Sequence, residues 1–69
     1  MRTLRFPKDL YPGEHVDEAL KLFERYGKLE RAEEADAWIV QVEASSRARA
    51  RRLAGEIANY ALGLTVRNR

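Results

Sequence analysis

Ala37-Trp38-Ile39-Val40-Gln41-Val42-Glu43 is the stretch that decides the fold. In an extended chain successive side chains point to opposite faces. Trp38, Val40 and Val42 therefore share one face, and Ile39, Gln41 and Glu43 share the other. Aromatic and β-branched residues suit a pleated surface, and the division into an apolar and a mostly polar face describes a strand covered on one side only. Just upstream, Lys28-Leu29-Glu30-Arg31-Ala32-Glu33 reads as a weaker strand with Leu29 as its one large apolar residue. Glu34-Ala35-Asp36 is short enough to be a tight connection, so the two strands form an antiparallel hairpin.

On the N-terminal side lies a run, 14–26, with Val16, Ala19, Leu20, Phe23 and Tyr26 at helical spacing. Pro12 suits a helix start. Glu14, Asp17 and Glu18 precede Lys21, Arg25 and Lys28, an order that complements the helix dipole. Gly27 is the expected residue just past the end. Before it, Thr3-Leu4-Arg5-Phe6 alternates and predicts a short strand with Leu4 and Phe6 inward, ended by Pro7. After the hairpin, Ser45 or Ser46 caps a second helix that is expected to run to about Leu62 and stop at Gly63. Ala50, Leu53, Ala54, Ile57, Ala61 and Leu64 form its apolar stripe. Leu64-Thr65-Val66-Arg67 alternates again and can add a short closing strand.

The element order is β-α-β-β-α, with or without that last strand, in one small domain spanning 1–69. Two amphipathic helices on one sheet face give an α+β two-layer sandwich, and with the last strand the order is ferredoxin-like. A chain of 69 residues buries a modest core. Ten alanines favour the helices, and oligomerisation is the remaining way to add stability, so a homodimer is expected. The face carrying Ile39, uncovered by any layer, is the candidate contact, with a solvated face as the alternative.

Composition narrows the chemistry. Apolar residues are 45% and charged residues 35%, a globular balance, and the formal net charge is +2. The chain has no cysteine and one histidine, so disulfides, thiolate catalysis and cysteine-ligated metal are excluded, and neither a metal nor another cofactor is expected. Apolar runs are too short for a membrane span, and Met1-Arg2-Thr3-Leu4-Arg5 does not resemble a signal peptide, which gives a cytoplasmic reading. Phosphate-binding glycine loops and nucleophile elbows are absent from the sequence. His15 is the one evident general base, and without a neighbouring nucleophile the reading is non-enzymatic.

Arg47, Arg49, Arg51 and Arg52 are the oddest feature, because they place positive charge in the first turns of a helix. Guanidinium forks suit phosphate and carboxylate, so the row is a candidate surface for an anionic partner. The alternative is a solvated face paired with Glu43, Glu56 or the acidic stretch from Glu30 to Asp36.

Leu10-Tyr11-Pro12, then Val16-Asp17-Glu18-Ala19 and Phe23, together with the closing run Gly55-Glu56-Ile57-Ala58-Asn59-Tyr60-Ala61-Leu62-Gly63-Leu64 and Val66-Arg67, resemble the small HxsD family of the His-Xaa-Ser maturation systems. Tyr11, Asn59, Leu62 and Arg67 stand at the motif positions. The resemblance implies a non-enzymatic accessory protein that works beside radical enzymes modifying a repeat peptide. The reading is thus an accessory or protein-interaction module, with partner contacts expected at Ile39 and the four arginines. A small nucleic-acid-binding protein using the same arginine row is the alternative.

Overall fold

The computed structural model describes residues 2–67. Strand β1 (Arg2–Pro7) leads into helix α1 (Gly13–Phe23), which tightens into a 3₁₀ turn at Glu24–Tyr26. Strands β2 (Lys28–Glu33) and β3 (Ala37–Glu43) follow, and helix α2 (Arg47–Arg67) closes the chain. The sheet order is β1-β3-β2. Both outer strands are antiparallel to β3, which makes β1 and β2 parallel to each other, one strand apart. This is an α+β arrangement with β-α-β-β-α order, and its strand neighbours are those of a ferredoxin-like sheet.

Register explains the layering. Phe6 pairs with Trp38, Leu4 with Val40, and Leu29 with Val42, so these residues share one face. Both helices lie on that face. Phe6, Val40 and Val42 are buried there with Val16 and Ala19 of α1 and with Leu53, Ala54, Ile57 and Ala61 of α2. The helices run antiparallel: Thr65 meets His15, Tyr60 meets Glu18 and Phe23, and Leu53 reaches Gly27. On the opposite face Arg5 pairs with Ile39 and Ile39 with Ala32, and no helix covers them.

Trp38 organises the end of the core away from the 3₁₀ turn. Its Nε1 donates to the Tyr11 carbonyl at 2.9 Å, and Tyr11 packs edge-on against Phe6 with centroids 5.0 Å apart. Lys8 Nζ and the Arg31 guanidinium lie 4.7 and 4.9 Å from the indole centroid. Gly13 begins α1 directly on the indole: a Cβ there would sit 2.8 Å from Trp38 Cζ2.

Gly27 serves a different purpose from the one expected. Its backbone is fully extended, φ 178° and ψ −179°, so it is no left-handed helix cap. Any residue adopts those angles; the requirement is space. A Cβ would lie 2.6 Å from the Glu43 carbonyl oxygen and 2.8 Å from Leu53 Cδ2, and glycine is what lets the start of β2 press against the end of β3 and against α2.

Helix α2 also departs from expectation. It passes through Gly63 without stopping and continues to Arg67, so 64–67 forms no closing strand. A strand would put Leu64 and Val66 on one face, whereas Leu64 and Thr65 are buried and Val66 is exposed. Leu64 and Thr65 follow Ala61 by three and four residues, which keeps the helical stripe unbroken. The Thr65 hydroxyl donates back to the Ala61 carbonyl at 2.9 Å. A Cβ at Gly55 or Gly63 would meet nothing within 4 Å. Gly63→Ala is therefore expected to stabilise the protein by about 0.5–1 kcal/mol, the usual helix-interior difference. Urea unfolding followed by Trp38 fluorescence reads this, and a destabilised variant would mean that the helix ends at Gly63.

Candidate functional site

Helix α2 starts with a serine cap. The Arg49 amide donates to Ser46 Oγ at 3.1 Å, which satisfies one of the free N–H groups of the first turn. The four arginines of the row occupy the turns that follow, and all are exposed. Spacing on the helix separates them. Arg47 and Arg51 are one turn apart, and with Arg2 of β1, Ala48 and Ala50 they line a cavity of about 540 Å³. Arg49 and Arg52 lie elsewhere on the helix surface.

Ion pairing decides which of these cations are neutralised. The acidic residues of the β2–β3 hairpin are taken by other partners: Arg5 binds Glu34 at 2.7 Å and Asp36 at 3.0 Å, Lys8 binds Glu33, and Lys28 approaches Glu30 at 3.6 Å. Asp17 takes Arg31 at 3.1 Å. Within the row, Arg52 alone finds a carboxylate among the described residues, Glu56 at 3.9 Å. Arg2, Arg47, Arg49 and Arg51 pair with no carboxylate among the described residues. Of the pairings expected for the row, with Glu43, Glu56 or the acidic stretch, the Glu56 contact is the one found among the described residues. Arg2 was not legible as part of this surface, because its place beside Arg47 and Arg51 depends on how α2 crosses β1.

Two groups on the sheet carry shifted pKa values. The hydrogen bond from Lys8, helped by its charge, holds the Glu33 carboxyl below the ordinary glutamate value. The bonds to Glu34 and then Asp36 hold the Arg5 guanidinium above its usual value. For Glu33 the sign follows from linkage: a depressed folded pKa adds stability above the unfolded pKa, and that contribution is lost as pH falls through the folded value. The acid limb of the stability curve, below about pH 4.3, is expected to flatten in Glu33→Gln. Urea midpoints measured from neutral pH down to acid for both proteins check it; parallel curves would refute the role of this pair.

The other candidate residues lie in separate places. Ile39 is half-buried on the open sheet face, next to Arg5 and Ala32 in register. Tyr11 is a half-buried core residue that holds Trp38. Asn59 and Leu62 are exposed on α2, and Arg67 is in its last turn. The four family-motif positions therefore do not converge on one site. Asn59 lines a groove with Phe23, Tyr26, Glu56 and Tyr60.

His15 is half-buried, and its Nδ1 lies 3.2 Å from Thr65 Oγ1. The Thr65 proton is already given to Ala61, so the hydroxyl oxygen accepts and His15 Nδ1 donates. The histidine thereby ties the start of α1 to the end of α2, a contact missed when 64–67 was read as a strand. Among the described residues no helix is long and apolar enough to cross a membrane. Comparison with protein-family models, with curated proteins and with solved structures gives no match.

Proposed function

We propose that the chain is a non-catalytic interaction module that receives an acidic segment of a partner protein on the surface made by Arg2, Arg47 and Arg51. The observation that carries this reading is the convergence of Arg2, Arg47 and Arg51 on one cavity while none of the three has an ion-pair partner among the described residues. Like charges held together on a helix start oppose one another and the dipole. A carboxylate-bearing ligand relieves both, and arginine accepts it through paired N–H donors.

The resemblance to the HxsD family gives this module a setting. There it acts as an accessory to a radical enzyme or its peptide substrate, in the cytoplasm. A homodimer formed through the open face around Ile39 belongs to the same proposal, and sedimentation over a wide concentration range tests it.

The binding reading is tested by titrating a labelled oligo-glutamate peptide into the protein at low and moderate salt. Saturable binding that weakens with salt supports it. No binding at low salt overturns it. A clear preference for a DNA or RNA duplex over the peptide, with the steep salt dependence of counterion release, would transfer the same arginines to nucleic acid.

A further inference from the structure

We infer that the groove between the 3₁₀ turn and α2 is a second recognition site, which takes the arginine side chain of a partner peptide. The groove has a volume of about 660 Å³ and is lined by Phe23, Tyr26, Glu56, Asn59 and Tyr60. The Phe23 ring contacts both tyrosines of the groove, Tyr60 edge-on at 6.0 Å and Tyr26 tilted at 6.2 Å between ring centroids. Tyr26 is 62% exposed, the most exposed large apolar side chain among the described residues. An aromatic left in water beside two other rings offers a π face to a cation.

The carboxylates give the groove its sign. Glu56 lines it directly, and Glu18 lies at its edge, where Tyr60 Oη donates to it at 3.5 Å. Arg52 Nε approaches Glu56 only to 3.9 Å, too far for a hydrogen bond, so the oxygens of Glu56 keep free acceptor capacity. An arginine matches both features at once, because its planar guanidinium stacks on a ring and forks onto a carboxylate. Asn59 can add a carbonyl acceptor for a remaining N–H. At about 100° per residue, Glu56 lies about 140° around α2 from Arg51 and about 180° from Arg47. The groove therefore faces away from the basic cavity, and this inference does not rest on the proposed acidic partner.

The test is a titration of the full chain with the capped tripeptide acetyl-Gly-Arg-Gly-amide, followed by amide NMR shifts. The analogue with citrulline in place of arginine serves as a neutral isostere. Shifts are expected at Phe23, Tyr26, Glu56, Asn59 and Tyr60, with the citrulline peptide bound about fivefold or more weakly. Tyr26 and Glu56 are exposed, so Tyr26→Ala and Glu56→Gln should keep the native spectrum while each weakens binding about threefold or more. Arg52→Gln should strengthen it, since a competing cation is removed. Equal binding of the two peptides, binding indifferent to Tyr26→Ala and Glu56→Gln, or shifts confined to the acidic hairpin would each overturn the inference.

Discussion

Ile57→Ala is expected to bring the protein close to unfolding at room temperature. Ile57, in α2, is among the largest side chains with no exposure at all, and it shares the core with Val16 of α1 and Val40 and Val42 of β3, the other large residues that are fully enclosed. Removing a buried isoleucine beyond Cβ costs about 2–5 kcal/mol, because the transfer term is lost and the cavity collapses only in part. The total stability of a domain this size is about 3–10 kcal/mol, so one substitution removes a large share of it. Ile39→Ala is the control of identical chemistry. Ile39 is half-buried on the open face, and its truncation should cost about 1 kcal/mol. Urea unfolding of both variants, followed by Trp38 fluorescence, compares them. Equal losses would mean that the helices do not cover the face carrying Val40 and Val42.

That contrast also shows what was legible beforehand. The alternation from Trp38 to Val42 puts three apolar residues on one face, and the hairpin over 28–43 follows with the bounds expected of it. The stripe from Ala50 to Leu64 is buried at every position named for it. Both signals survive because they are periodic and because burial decides them. The end of α2 was misread for a specific reason. Glycine at 63 and the alternation of 64–67 are local cues, and a helix can carry an exposed glycine when Leu64 and Thr65 still fall on the buried side. Gly27 does follow the helical segment, as expected, but not in a left-handed cap: crowding by Glu43 and Leu53 is a tertiary fact that no local pattern encodes.

The candidate site was legible only in part. The arginine row is plain in the sequence, since four cations within six residues at a helix start contradict the dipole. Its division was not: Arg47 and Arg51 join Arg2, while Arg52 turns to Glu56. Nor could composition show that the acidic hairpin is already neutralised by Arg5 and Lys8, while Arg47, Arg49 and Arg51 have no carboxylate partner among the described residues. Long-range pairing of this kind depends on strand register, here the placement of β1 beside β3.

The double variant Arg47→Glu/Arg49→Glu is expected to move stability and binding in opposite directions. With Ser46 as the cap, Arg47 is the first helical residue and Arg49 the third. Glutamate at the third position can reach back to the Ser46 amide and complete a capping box. Two carboxylates in the first turn also replace two cations that oppose the dipole. Together these changes should raise stability by about 0.5–2 kcal/mol. At position 47 the same change puts a carboxylate where the acidic segment would dock, and binding of the oligo-glutamate peptide should fall by about tenfold or more. A merely solvated arginine face predicts the stability gain and no change in peptide binding. A variant that loses stability would mean that the arginines support the fold through contacts of their own. The combination of firmer folding and lost binding fits one account only, in which the helix start tolerates unfavourable local electrostatics because a partner's negative charge completes it.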